Sequence, residues 1–112
     1  MPGLIDTHLH FSGNLTDDDT EWVLEDRVQK TVVAVQQAHE CLENGLTTVG
    51  EISYSGLAIR NMVEKGIMQG PRVVGTGLGF CRTCGHGDSH KLPIWYNEQS
   101  HPWAERVDGP WE

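Results

Sequence analysis

Three short apolar or β-branched runs, separated by two segments of helical period that each stop at a glycine, most constrain what this chain can fold into. The first run spans about Gly3 to Thr7 around Leu4 and Ile5. The acidic stretch Asp17-Asp18-Asp19 before Thr20 suits a helix start, since carboxylates complement the dipole and cap free N–H groups. A helix is expected from about Thr20 to Asn44, with Trp22, Val28, Val32, Val35, Ala38 and Leu42 recurring every three or four residues, and Gly45 ends it. Thr47-Thr48-Val49 reads as a second strand bounded by Gly50. Ser55-Gly56 opens a shorter helix through about Lys65, with Leu57, Met62 and Val63 facing inward and Gly66 as its stop. Arg72 to Thr76 is the third strand, after the Gly70-Pro71 punctuation. Alternating strand and helix imply a parallel sheet with right-handed crossovers, hence an α/β fold. Gly79 to Gly109 has weak periodicity and carries His86, His90, His101, Trp95 and Trp103; a loop of that length in a compact domain is functional or disordered. No internal domain boundary interrupts residues 1–112.

The first strand ends in Asp6-Thr7-His8-Leu9-His10. Alternate strand residues share a face and lie roughly 6–7 Å apart at the backbone, so two neutral imidazoles at this spacing can converge on one divalent ion. The pair enters a loop signal, Phe11-Ser12-Gly13-Asn14, which puts it at the carboxyl edge where α/β sheets bind ligands. The competing reading is two surface or hydrogen-bonded histidines.

Pro2-Gly3-Leu4-Ile5-Asp6-Thr7-His8-Leu9-His10 resembles the first barrel strand of the amidohydrolase superfamily. Glu43-Asn44-Gly45-Leu46-Thr47-Thr48-Val49 is similar to the end of its first helix and its second strand. Gly70-Pro71-Arg72-Val73-Val74-Gly75-Thr76-Gly77 and Gly85-His86-Gly87-Asp88 are similar to the third strand and the loop after it, in the imidazolonepropionase-like and prolidase-like branch. The resemblance implies part of a (β/α)8 TIM barrel, about the first three βα units with a long loop after strand three. It implies hydrolysis of amide or peptide C–N bonds by a metal-activated hydroxide, as in an Xaa-Pro dipeptidase. It further implies that His8 and His10 ligate a divalent metal, zinc above others, with one or two ions in the complete enzyme. His86 matches a loop histidine that meets the substrate carboxylate in some dipeptidases of the branch. Asp6 is expected to hydrogen-bond backbone, and Glu51, at the end of strand two, to be solvated or salt-bridged. The superfamily's remaining functional residues, a lysine, two histidines and an aspartate on later strands, are not matched in this chain.

A complete barrel of this kind takes about 250 residues, whereas the chain has 112 and ends at Asp108-Gly109-Pro110-Trp111-Glu112, which reads as the first turn of a helix. The expectation is a fragment of a longer enzyme, inactive alone and marginally stable, with open sheet edges. The net charge of −8 argues against a nucleic-acid or anionic-membrane surface. No apolar run approaches the roughly 20 residues of a membrane span, and three cysteines, an odd number, fit a reducing compartment, so a cytoplasmic enzyme is expected. Its partner is a small-molecule or dipeptide substrate; a homo-oligomeric complete enzyme stays open, since the sequence does not name the oligomeric state. Two alternatives stay open: a hydrolytic deaminase of the same superfamily, and a small zinc-binding or interaction module built on Cys81, Cys84, His86 and His90. Cys41 reads as a small core residue.

Overall fold

The computed structural model describes residues 1–11, 18, 21, 24–88, 91–93, 95 and 104–111. Its elements in chain order are β1 (Leu4–Leu9), α1 (Arg27–Glu43), β2 (Leu46–Glu51), α2 (Tyr54–Glu64), β3 (Arg72–Gly75), β4 (Gly79–Cys81) and β5 (Ala104–Arg106). The first three strands form one parallel sheet in the order β1-β2-β3, with a helix between each pair in sequence. This is the mixed α/β architecture that the strand-helix alternation implies.

Register in the sheet is regular between β2 and β3, from Thr48 opposite Arg72 to Glu51 opposite Gly75. Between β1 and β2 it is not: Asp6 pairs with Val49 but Leu9 with Glu51, so β1 carries one extra residue at Thr7-His8. A side chain on Gly50 would meet the Thr7 carbonyl oxygen at 2.5 Å, and glycine there lets the bulged strand come close. The first strand thus runs past its expected end at Thr7, through Leu9.

The core comprises Phe11, Ala34, Ala38, Cys41, Val49, Ile59 and Val73, with Leu9, Leu46, Val63 and Met68 packed around it. Phe11, part of an apparent loop signal, is fully buried. Helix α1 departs from expectation twice. It starts at Arg27, where Asp26 caps it by accepting from the N–H groups of Val28 (2.8 Å) and Gln29 (3.2 Å); Asp17, Asp19, Thr20 and Trp22 lie outside the described residues. Its buried stripe is Ala34, Ala38 and Cys41, while Val28, Val32 and Val35 are exposed. Small side chains let the helix axis come close to the sheet, so they, rather than the valines, set the inward face.

Helix α2 buries Gly56 and Ile59, with Leu57 and Val63 half-buried; Met62, expected inward, is exposed. The stretch from Gly79 is not uniformly irregular, because β4 and β5 pair in parallel, Gly79 with Ala104 and Cys81 with Arg106. Pro110 and Trp111 lie in a turn, and Trp111 is fully exposed. Among the described residues no helix is long and apolar enough to cross a membrane.

Candidate functional site

The carboxyl ends of β1, β2 and β3 meet at one residue, Glu51. Glu51, the last residue of β2, is fully buried. Its Oε1 accepts from the Phe11 N–H at 2.8 Å and from the Ser53 hydroxyl, and its Oε2 accepts from the Ser53 N–H at 3.0 Å. Its backbone carbonyl accepts from the Thr76 N–H at 3.3 Å, just past β3. Three donors meet the charge inside the protein, which is the condition for burying a carboxylate without large loss of stability. A solvated or salt-bridged Glu51 was the expectation, and the structure corrects it. The signal lay in the strand period: Val49 is a core residue, and Glu51, two positions on, shares its face. Gly56 completes the arrangement, since any Cβ at that position would overlap the Glu51 carboxylate.

His8 and His10 sit beside this junction and are both exposed. Their rings are edge-to-face with centroids 5.1 Å apart. Nδ1 of His10 lies 2.8 Å from the carbonyl oxygen of Ile52. A carbonyl can only accept, so the contact requires Nδ1 to carry a proton, and in the neutral ring this leaves the lone pair on Nε2. The Ile52 N–H in turn donates to the Leu9 carbonyl at 3.0 Å, which laces the end of β1 to the segment after β2 on both sides of the histidine. Asp6 accepts from the His8 N–H at 2.9 Å, the backbone role expected of it. The donor set fits a divalent ion: two imidazoles on one strand end, one of them with its free nitrogen fixed by a hydrogen bond at the other. Two imidazoles fall short of a closed site, and no group of three or more metal-binding side chains forms among the described residues.

His86 is exposed in the turns of Arg82–Asp88 and shares no described cluster with the histidine pair. Those turns are held by Gly85 N–H to the Arg82 carbonyl (2.8 Å), Asp88 N–H to the Gly85 carbonyl (3.0 Å) and Cys84 N–H to the Asp88 carboxylate (2.9 Å). Cys84 has φ +59°, a left-handed conformation in which glycine is ordinary and a cysteine strained. Asp108 clasps the same turn, accepting from Thr83 N–H at 2.7 Å and from the Thr83 hydroxyl at 2.5 Å. Those bonds, the hydroxyl's first, hold the Asp108 carboxyl below the usual carboxylate range, with Arg106 and Arg82 adding to the effect. Cys81, Cys84 and His86 do not converge as a metal group, and His90, the fourth member of that alternative, lies outside the described residues, as do His101 and Trp103. All three cysteines are free thiols.

Against known proteins the chain is 30% identical over 95 residues to ochratoxinase of Aspergillus niger, which covers 83% of this chain and 20% of that protein. The crystal structure of A. niger ochratoxinase matches with a TM-score of 0.73 at 30% identity, over 83% of this chain and 22% of that one. The crystal structure of a Xaa-Pro dipeptidase with methionine bound in its active site matches with a TM-score of 0.78 at 25% identity, over 98% of this chain and 28% of that one. The chain spans about a fifth of the length of the curated relatives it matches. The profile of the amidohydrolase family runs through residues 1–109, from the β1 histidines to the Asp108 clasp, and the chain belongs to that family.

Proposed function

We propose that this chain supplies the first βα units of a (β/α)8 barrel in a hydrolase that cleaves amide or peptide C–N bonds, with His8 and His10 as ligands to a divalent metal, zinc in the first instance. The observation that carries the reading is the histidine pair at the end of β1, with ring centroids 5.1 Å apart and the His10 tautomer held by Ile52. Family membership and the likeness to ochratoxinase and to a Xaa-Pro dipeptidase support a C–N bond as the target. A bound divalent metal supplies polarisation of the scissile carbonyl and a lowered pKa for water. The chain's own contribution is placement. The β1 bulge and Gly50 set the strand end, Leu9 packs it against the core, and the two exposed imidazoles sit at that end. His86, on the turn after β4, is assigned the carboxylate end of a dipeptide substrate.

Calorimetric titration of the chain with zinc tests this reading. Saturable binding is expected, falling by about tenfold or more in His8→Ala and again in His10→Ala, since even residues that merely orient a metal ligand are worth 10–100-fold in affinity. Equal zinc affinity in the parent and both variants would remove the histidine pair from the site.

A further inference from the structure

We propose that Glu51 is a positioning residue for the histidine pair: its buried carboxylate clips Phe11 to Ser53, and the clip holds the Ile52 carbonyl against Nδ1 of His10, selecting the tautomer whose lone pair is on Nε2. The inference rests on the reading of His8 and His10 as metal ligands for its use in function, but its geometry stands without a metal.

The argument starts from adjacency. His10 precedes Phe11, and Ile52 lies between Glu51 and Ser53, so the His10–Ile52 contact of 2.8 Å has, in each of the two segments, a neighbour bonded to the one carboxylate. Phe11 N–H reaches Oε1 at 2.8 Å across 40 residues of sequence, and Ser53 offers both its N–H and its hydroxyl. The serine also gives up its ordinary use. It is the N-cap of α2, yet its side chain makes no capping bond to the helix because it is engaged with Glu51. Gly56 leaves the room the carboxylate needs. A carboxylate retained in a fully buried position, with a helix cap and a glycine given over to it, is more than packing requires. An aliphatic residue there would fill space without tying residue 11 to residue 53.

The test reads the His10 tautomer by long-range ¹⁵N–¹H NMR of the metal-free chain near pH 8, about 1.5 units above the ordinary imidazole pKa. In the parent, His10 is expected as the Nδ1–H form. In Glu51→Gln, whose amide offers one acceptor and an N–H₂ group to a set of donors, the tautomer ratio is expected to shift about fivefold toward Nε2–H, the equivalent of one ordinary hydrogen bond. Val73→Ala, a core truncation away from the clip, is expected to leave the ratio unchanged, which separates positioning from general loss of stability. Should Glu51→Gln fail to fold, Ser53→Ala removes one donor and keeps the charge, and a smaller shift in the same direction is expected. A folded Glu51→Gln or Ser53→Ala chain with the parent tautomer ratio overturns the proposal, as does a shift of the same size in Val73→Ala. Zinc titration of the same proteins distinguishes the two claims. A tautomer shift in a chain that binds no zinc keeps the positioning role and sinks the metal reading; zinc affinity lost from His8→Ala with no tautomer response in Glu51→Gln does the reverse.

Discussion

At the scale of single residues the site depends on two glycines that are needed for different reasons. In an exposed helix, replacing glycine by alanine is favourable by about 0.4–1 kcal/mol. Gly56 reverses that sign, because the added methyl would fall on the Glu51 carboxylate, which three hydrogen bonds prevent from swinging away. Gly56→Ala is expected to destabilise the chain by about 1–3 kcal/mol, the usual range for overpacking, in urea unfolding followed by circular dichroism. Gly50→Ala should cost at least as much, since its neighbour is the Thr7 backbone carbonyl and cannot rotate aside. An unchanged midpoint in Gly56→Ala would mean that the carboxylate can move aside, and one in Gly50→Ala that the bulge does not need the close approach. Cys41 gives a separate check. Burial pushes its thiol pKa up, and Asp6 and Glu40 add to the rise. In brief iodoacetamide labelling, Cys81 and Cys84 are expected to react well before Cys41. A raised thiol pKa also means that the folded chain keeps a proton the unfolded chain loses. Stability should therefore fall as pH climbs through the ordinary thiol range, about 8.5, and Cys41→Ala should flatten that slope.

At the scale of elements, the sequence reveals which segments are strands and helices more readily than it reveals how they face. The three strands of the main sheet and the two helices come in the expected order, and both helices stop at their glycines, because those signals are local, although α1 starts later and β1 runs further than expected. The inward face of α1 was not legible. Valine outranks alanine in apolarity, but the interface with the sheet selects small side chains for close approach, and that is a property of the partner surface. The cap of α1 was legible and easily overlooked: Asp26-Arg27-Val28-Gln29 has the acidic cap and the Gln three residues on of a helix start, overshadowed by the acidic run upstream. Asp26→Ala is expected to lower stability by about 0.5–2 kcal/mol. The histidine pair was visible as a pattern, whereas the partners that give it geometry, Ile52 and Glu51, lie about 40 residues away and emerge only from strand register. The pairing of β4 with β5 was hidden for the same reason, since three-residue strands separated by more than 20 residues leave no periodic trace. The Asp108 clasp on Thr83 closes that unit, and its lowered pKa fixes the direction of its acid response. The clasp adds stability above the ordinary carboxylate range and loses it as pH falls through the depressed value. The Thr83 amide resonance is expected to move with that acid transition, and Asp108→Asn to abolish the movement.

At the scale of the whole molecule, the described surface presents several large apolar side chains to solvent. Leu4, Ile5, Val28, Val32, Val74 and Phe80 are all more than half exposed. Leu4, Ile5 and Val74 belong to β1 and β3, the outer strands of the three-stranded sheet, so unpaired backbone and apolar side chains coincide. Opposing association is a net charge of −8, whose repulsion between chains is strongest at low salt and is screened within about 10 Å at 0.1 M. Hydrophobic attraction, by contrast, survives added salt. Sedimentation velocity on a dilution series of the chain should therefore show a weight-average mass that rises with concentration, and rises further when sodium chloride is added. Ile5→Lys combined with Val74→Lys, which places a charge on each outer strand, should restore the monomer without disturbing the core, as both side chains point away from it. A parent chain that stays monomeric throughout, in high salt as in low, would show that these strand edges are not adhesive.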